Sequence, residues 1–231
     1  EKNAGDYGRL LEKILQVHRE EWGRDNDVLI PMQLTHSGRY SVPVRTIAYH
    51  HPLIDKKTGT PADYPVITDD ELDRLQDQYI DAARLAVQAG FRAFDVKVTH
   101  GYLLSELSGA KTREGRYGGP IENRVRFACD VLRKLRDEFG SKIVLTVRLG
   151  CFDGVPFVKD EATKLGVPLE YPVPYPWGFG VNPANPMEPD MTDVKAAIGL
   201  MRDAGAQLFN ISMGSPYYNP HIGRPFETPD E

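Results

Sequence analysis

Short apolar runs alternate with amphipathic segments along this chain. Apolar residues at helical spacing predict helices over residues 7–22, 68–89, 120–139 and 192–204. Thr68 with Glu71 predicts a capping box at the start of the second helix, Thr192 is predicted to cap the fourth, and residues 37–65 are predicted to form a long loop. Apolar runs predict strands over residues 28–34, 91–98, 143–149 and 207–212. Strands that alternate with helices in this way predict an α/β fold whose sheet is parallel and whose crossovers are right-handed.

The order of these elements corresponds to part of a TIM (β/α)8-barrel. Four βα units are half of such a barrel, and half a barrel leaves two open strand edges and an uncovered interior. We therefore expect residues 1–231 to form a single partial TIM-barrel domain with about four central βα units. The same reasoning predicts that the chain is a fragment of a longer protein, truncated at both ends.

Polar and reactive residues follow each predicted strand at the point where the strand ends. These segments are LTHSGR after the first strand, KVTHGYLLSEL after the second, VRLG in the third and SMGSPYYNPH after the fourth. A parallel barrel gathers the C-terminal ends of its strands on one face, and the active site lies there. The sequence thus predicts one site built from four strand ends, with a short helix over residues 100–107 beside it.

The composition narrows the range of partners and compartments. The chain has a net charge of −5, with 41% hydrophobic and 26% charged residues. No basic patch with interleaved aromatic residues is visible and no apolar run reaches membrane-spanning length, so we expect neither nucleic acid nor a membrane as partner. Cys129 and Cys151 are predicted to be reduced, buried thiols of a cytoplasmic protein. The Pro-, Gly- and aromatic-rich residues 151–189 are typical of a lid or binding loop.

Candidate ligand-binding residues begin at the end of the first strand. A glutamine there, Gln33, both donates and accepts hydrogen bonds, which suits the edge of a heterocycle. His36 and Arg39 are suited to bind an anionic or carbonyl group of a substrate. The alternative is that Gln33 and His36 only satisfy backbone groups of the following loop, and their spacing leaves this open.

The second strand contributes Lys97, His100 and Tyr102. Side chains alternate along a strand, so Asp95 and Lys97 share one face, and Lys97 points into the barrel if Val96 packs under the helices. His100 and Tyr102 can both donate hydrogen bonds to one carbonyl oxygen, which would polarise a conjugated double bond. The alternative is a structural Lys97–Asp95 pair and a histidine that only caps a helix.

The third and fourth strands complete the candidate set. Arg148 is always charged, and such a group at a barrel mouth usually meets an anion. A salt bridge from Arg148 to Asp95 is the alternative. Tyr217 and His221 follow the fourth strand and are predicted to line a substrate pocket.

Taken together, these segments resemble the old yellow enzyme family, the FMN-dependent NADH:flavin oxidoreductases, which includes the 2,4-dienoyl-CoA reductase type. HGYLLSEL with RYGGPIENRVRF is similar to the family's fourth strand and following helix, and QLTHSGR to its third-strand motif. TVRLG is similar to the fifth strand and LFNISMG to the sixth. The resemblance covers about residues 27–215.

The resemblance implies FMN bound at the strand ends, with Gln33 at the pyrimidine side of the flavin and Arg148 near N1 and O2. It implies that His100 binds the substrate carbonyl and that Tyr102 lies beside it as a proton donor. NADH or NADPH would supply a hydride that passes through the flavin to an activated alkene or related small-molecule acceptor. The sequence departs from the family at Lys97, where members usually have a histidine or asparagine.

Three alternatives stay open from the sequence. A barrel lyase or aldolase would use Lys97 as a Schiff-base nucleophile. A metal-dependent hydrolase would need His36, His100, His221 and Asp95 as ligands, although they lack a close-spaced metal motif. A non-catalytic barrel would keep the scaffold and bind a flavin or another ligand. Homo-oligomerisation is left open by all of these interpretations.

Overall fold

The computed structural model describes residues 3–222. The helices are α1 (Ala4–Trp22), α2 (Pro52–Thr58), α3 (Asp69–Gln88), α4 (Leu103–Gly109), α5 (Ile121–Arg124), α6 (Arg126–Phe139) and α7 (Thr192–Asp203). The strands are β1 (Pro31–Leu34), β2 (Ala93–Val98), β3 (Val144–Gly150), β4 (Phe157–Lys159), β5 (Gly166–Pro168), β6 (Val181–Asn182), β7 (Asn185–Pro189) and β8 (Leu208–Ser212).

Four of these strands form one parallel sheet in the order β1-β2-β3-β8. Every neighbouring pair in this sheet is parallel, and each connection carries at least one helix. This confirms the predicted α/β order and the four parallel strands of a partial barrel. The strands β1 and β8 stand at the two edges, and Leu208 and Ile211 of β8 are each 52% exposed.

The two faces of the sheet differ in chemistry because side chains alternate along each strand. Phe94, Val96 and Val98 of β2 are buried among apolar residues of the helices, and the Phe94 ring stacks on Phe139 of α6 at 6.1 Å. The opposite face carries polar side chains, including Asp95 and Lys97. One face of the sheet therefore makes the core with the helices, and the other is the interior of the barrel.

Local sequence explains where α3 begins. The Thr68 hydroxyl accepts a hydrogen bond from the Glu71 amide at 3.2 Å, and the Glu71 carboxylate accepts one from the Thr68 amide at 2.8 Å. This is the predicted capping box, which satisfies two of the amides that a helix leaves unpaired at its start.

The structure differs from the predicted elements at several points. The predicted helix over residues 120–139 is interrupted at Val125 and forms α5 and α6. Thr192 does not cap α7 with its hydroxyl; it is the first helical residue, and its amide donates to the Asp190 carboxylate at 2.9 Å. The loops over residues 37–65 and 151–189 contain α2 and the two antiparallel pairs β4–β5 and β6–β7.

Candidate active site

Polar side chains fill the interior face of the sheet in successive layers. In the lower layer, the Gln33 amide donates to Asp95 at 2.7 Å and the Thr146 hydroxyl donates to the same carboxylate at 2.7 Å. The next layer toward the strand ends contains Lys97, whose register partner in β3 is Arg148. The parallel sheet therefore brings three of the predicted site residues onto one face.

Lys97 lies in a setting that is unusual for a lysine. The residue is 8% exposed, and its ammonium lies 3.6 Å from the centroid of the Tyr102 ring. No carboxylate of residues 3–222 lies within ion-pair distance of it, and both oxygens of Asp95 accept hydrogen bonds from other side chains. The predicted alternative of a Lys97–Asp95 ion pair is therefore wrong. Burial, followed by the charge of Arg148, lowers the pKa of Lys97.

His100 occupies the turn between β2 and α4. Its backbone has a φ of 68°, in the left-handed region that side chains other than glycine seldom adopt. Its carbonyl accepts a hydrogen bond from the Ser215 hydroxyl at 3.2 Å, which ties this turn to the loop after β8. Burial, with the charges of Lys97 and Arg148, lowers the pKa of His100 to about 4. The imidazole is thus neutral at neutral pH and keeps one N–H as a donor.

Arg148 points from β3 toward a cavity of about 380 Å³ that His100, Ser212 and Gly214 also line. Its Nε is buried and has no hydrogen-bond partner among the side and main chains that the structure describes. Its guanidinium makes no ion pair within residues 3–222, so the predicted alternative of a salt bridge to Asp95 is wrong. A buried donor without a partner costs about 1–3 kcal/mol, and an anionic heterocycle in the cavity would satisfy it.

Three tyrosines close the site on the side of Lys97. The Tyr102 and Tyr217 hydroxyls lie 2.9 Å apart, and the Tyr40 ring stacks on Tyr217 with centroids 4.0 Å apart. The hydrogen bond with Tyr217, followed by burial, raises the pKa of Tyr102 to about 12. Tyr40 was not predicted, although its position directly after Arg39 in the loop that follows the first strand was a usable signal.

Arg39 does not reach the site, which corrects the prediction that it binds substrate. Its side chain is fully buried and pairs with the carboxylates of Asp55 and Glu106, while Nη2 donates to the Tyr49 carbonyl at 3.0 Å. The reason is that Glu106, on the buried face of α4, needs a cation, and Arg39 supplies it from the preceding loop.

Of the two other candidate histidines, the structure describes the side chain of His36 but not that of His221. His36 accepts a hydrogen bond from the Gly38 amide through Nδ1 at 3.1 Å, and its carbonyl accepts one from Leu103 at 3.2 Å. Its Nε2 has no hydrogen-bond partner within residues 3–222 and stays a candidate for ligand contact. The side chain of His221 lies outside the described part of the chain.

Neither a metal-binding cluster nor a membrane-spanning helix is found among the described residues 3–222. No group of three or more histidine, cysteine, aspartate or glutamate side chains among them could hold a metal ion. The hydrolase alternative therefore has no metal site among the side chains that the structure describes. None of the helices in residues 3–222 combines the length and hydropathy needed to cross a membrane.

Comparison with known proteins places these motifs in a family. The model of the NADH:flavin oxidoreductase / NADH oxidase family matches residues 21–166. NADPH dehydrogenase of Geobacillus thermodenitrificans is 28% identical over 147 residues, which are 59% of this chain and 42% of that protein. 12-Oxophytodienoate reductase 1 of Oryza sativa subsp. japonica is 38% identical over 96 residues, which are 38% of this chain and 25% of that protein. A probable N-methylproline demethylase of Rhizobium meliloti is 29% identical over 171 residues, 68% of this chain and 23% of that protein.

The fold also matches a solved structure. The old yellow enzyme homologue from Zymomonas mobilis superposes with a TM-score of 0.58 at 21% identity, over 89% of this chain and 53% of that one. At this identity the similarity concerns the fold, and it agrees with the four-stranded parallel sheet as part of a TIM barrel. The chain spans less than half the length of each of the three relatives above.

Proposed function

We propose a flavin-dependent reductase function for this chain, which belongs to the NADH:flavin oxidoreductase / NADH oxidase family. The complete protein would bind FMN, take a hydride from NADH or NADPH, and reduce a small electrophilic acceptor such as an activated alkene. The buried and unpartnered Nε of Arg148 in the cavity at the strand ends carries this proposal.

The residues present fit the cofactor. Arg148 offers a fixed cation and a fork of N–H donors, which match the negative charge that a reduced flavin holds near N1 and O2. Gln33 presents the oxygen of its carboxamide, because its NH₂ already donates to Asp95. We assign Arg148 and Gln33 as the residues that would hold the isoalloxazine. When bound, FMN supplies hydride transfer, and the chain supplies orientation and charge.

The acceptor would be held by the loop that begins α4. His100 is neutral and would donate one N–H to an oxygen of the acceptor, and Tyr102, two residues further along the same turn, would be the proton donor. Because the pKa of Tyr102 is raised to about 12, the phenol keeps its proton at neutral pH and can donate it when negative charge develops on the acceptor. His36 and Tyr217 would line the same pocket.

The two free and buried cysteines, Cys129 and Cys151, support a reducing compartment such as the cytoplasm for this protein. We also propose that residues 1–231 act as one domain within the complete barrel, because one apolar core joins the sheet to its helices.

The test is the visible absorption spectrum of the complete protein before and after anaerobic addition of NADH and NADPH. A flavin spectrum that bleaches is the expected result. In Arg148→Ala, FMN should dissociate at least about tenfold more readily, because a charged hydrogen-bonding partner contributes about 1.5–3 kcal/mol. Arg84→Ala, which removes an exposed arginine of α3, is the matched control.

Two results would count against this proposal. Unchanged FMN retention in Arg148→Ala would remove the role assigned to Arg148. A colourless protein that takes up no added FMN would overturn the reductase function itself. Borohydride trapping of Lys97 with a carbonyl substrate would then test the Schiff-base alternative, which the lowered pKa of Lys97 would favour.

A further inference from the structure

We propose that the acceptor carries a carboxylate conjugated with its reducible double bond, and that Lys97 is the residue that selects it. This inference rests on the proposed function and names the substrate class of the same site. The observation that carries it is a pair of adjacent cations, Lys97 and Arg148, that have no carboxylate partner.

The sheet forces the two cations together. Lys97 of β2 and Arg148 of β3 are register partners in parallel strands, so their side chains leave the sheet on the same face. Neither makes an ion pair with a residue of the range 3–222. Asp95 is the carboxylate in the layer below, and Gln33 and Thr146 occupy its two oxygens. Because a buried charge is costly unless it is paired, the site as a whole requires anions.

A bound flavin would pair with only one of the two cations, Arg148. The guanidinium of Arg148 lies at the cavity that Ser212 and Gly214 line next to β8, and His100 lines the side of this cavity that adjoins the acceptor site. The ammonium of Lys97 lies instead over the ring of Tyr102, which begins α4. Lys97 thus extends toward the tyrosine loop, where the acceptor would lie, while Arg148 extends toward the cavity assigned to the flavin.

A full charge at Lys97 fits a carboxylate better than a neutral carbonyl. His100 already provides a neutral donor for a carbonyl oxygen, and the hydroxyl proton of Tyr102 is the one that is transferred. Lys97 adds a second donor, which carries a unit charge, and it is more than nine-tenths buried. An interaction between unit charges in such a setting is much stronger than one between an ammonium and a neutral oxygen. The aromatic face of Tyr102 holds the ammonium in place but leaves its N–H bonds for the ligand.

The reaction balances with the reductant already proposed. NAD(P)H is oxidised to NAD(P)⁺ and its hydride ends on the carbon β to the carboxylate. The electron pair of the C=C bond moves to the α-carbon and is delocalised into the carboxylate. Tyr102 gives its hydroxyl proton to the α-carbon and regains one from solvent by way of Tyr217, which is 43% exposed. The bound carboxylate favours the protonated form of Lys97, whose ammonium then stabilises the added negative charge.

The test compares matched ligands on the complete, FMN-loaded protein. Crotonate with crotonamide and cinnamate with cinnamamide differ only in the charge of one group, and calorimetric titration of the oxidised protein measures their binding. In at least one pair the carboxylate should bind at least tenfold more tightly than the amide. In the Lys97→Met variant the affinity for the carboxylate should fall about 10- to 100-fold, while the affinity for the amide changes less than about threefold.

Three further variants keep the interpretation unambiguous. Lys97→Arg retains the charge and should retain the carboxylate preference. Lys97→Gln replaces Lys97→Met if the apolar variant fails to fold. Lys195→Met removes one positive charge from the exposed surface of α7 and should leave the preference unchanged.

Several outcomes would overturn the assignment. Amides that bind as tightly as carboxylates in both pairs would exclude the substrate class, and a preference that survives in Lys97→Met would exclude Lys97. If that variant instead slows reduction by NAD(P)H while carboxylate affinity stays constant, the partner of Lys97 is the reduced cofactor. The visible spectrum separates this failure from that of the proposed function: a protein that holds and reduces flavin without preferring carboxylates overturns the present inference alone.

Discussion

The hydroxyl groups of Tyr102 and Tyr217 lie 2.9 Å apart, although 115 positions separate them in the chain. Tyr102 stands at the start of α4, and Tyr217 follows β8. The Tyr217 ring also stacks on Tyr40, which follows β1. Three loops from three strand ends therefore meet at Tyr217, which makes it a positioning residue for the proposed proton donor.

Replacing Tyr217 by phenylalanine should lower the pKa of Tyr102 from about 12 toward 10. The hydrogen bond with Tyr217 is the largest cause of the raised pKa, and the variant removes it while keeping the stacked ring. Carbon-13 NMR titration of labelled tyrosine, assigned with a Tyr102→Phe variant, measures this pKa. Tyr7→Phe, an exposed change on α1, should leave it unchanged. If Tyr217→Phe also leaves the pKa at about 12, burial alone holds the proton on Tyr102.

Replacing His100 by alanine should weaken binding of enone and phenol ligands while flavin remains bound. His100 is the neutral donor at the proposed acceptor site, and the loss of one such hydrogen bond costs about 1 kcal/mol, or about fivefold in affinity. Difference spectra of the FMN-loaded protein follow ligand binding, and His18→Ala on α1 serves as the control. Loss of flavin with unchanged ligand affinity would show that His100 belongs to the cofactor site.

Replacing Arg39 by methionine should cost about 3–5 kcal/mol in the free energy of unfolding of the complete protein. The variant leaves Glu106 buried without its cation, and Glu106 is almost inaccessible to water. Urea denaturation measures the effect. Arg84→Met is the comparison, because the Arg84–Glu138 pair is exposed and should contribute no more than about 1 kcal/mol. Equal effects of the two variants would contradict the structural role of Arg39.

The fold was predictable where local and periodic signals agree. The run AFDVKV is buried along its whole length as β2, and the Thr68–Glu71 capping box begins α3 as the sequence indicates. Helix α2 was not predictable, because a seven-residue helix that begins after His51 has too few apolar positions to show helical periodicity. It also missed the interruption at Val125, since helical spacing continues through it.

The site was predictable to the extent that strand alternation determines it. Because Lys97 and Asp95 are two positions apart in β2, their common face follows from the strand period, and the register then adds Arg148. Arg39 was misassigned because its partner Glu106 lies 67 positions away and only the tertiary structure brings the two together. Tyr40 was missed for the same reason, since its stacking partner Tyr217 comes from the loop after β8.

Replacing Gly38 by alanine should lower the free energy of unfolding far more than the same change at Gly59. Both glycines have φ near +60°, so both variants suffer the backbone strain of about 1 kcal/mol. A Cβ on Gly38 would lie 2.6 Å from the Leu103 amide nitrogen, whereas one on Gly59 would meet nothing within 4 Å. The added clash should push the loop after β1 away from α4. Chemical denaturation gives the two stabilities, and equal losses would mean that the contact between these loops can relax.

Burial of His51 should make stability depend on pH in acid. The residue is 3% exposed, and its imidazole lies 2.9 Å from the Tyr175 hydroxyl. Burial, followed by the positive charge of Arg39, lowers the pKa of His51 to about 3 from 6.5. Between these two pH values the unfolded chain binds a proton at this position and the folded chain does not. The free energy of unfolding therefore rises with pH across this window, with a contribution of up to about 1.4 kcal/mol per pH unit from one group.

The variant His51→Asn isolates this contribution, because asparagine retains a side-chain acceptor at the start of α2. Other groups titrate in the same range. Burial lowers the pKa of His100 to about 4 and raises that of Asp153 to about 7, and these two shifts change the slope of unfolding free energy against pH in opposite directions. Both groups are present in the variant and in the parent, so the difference between the variant's curve and the parent's curve reports His51. Urea denaturation from pH 4 to pH 8 should show a shallower rise for His51→Asn below pH 6.5 and parallel curves above it. Parallel curves over the whole range would mean that the folded protein admits a proton to His51. The same change at the partly exposed His18 is the control for the substitution itself.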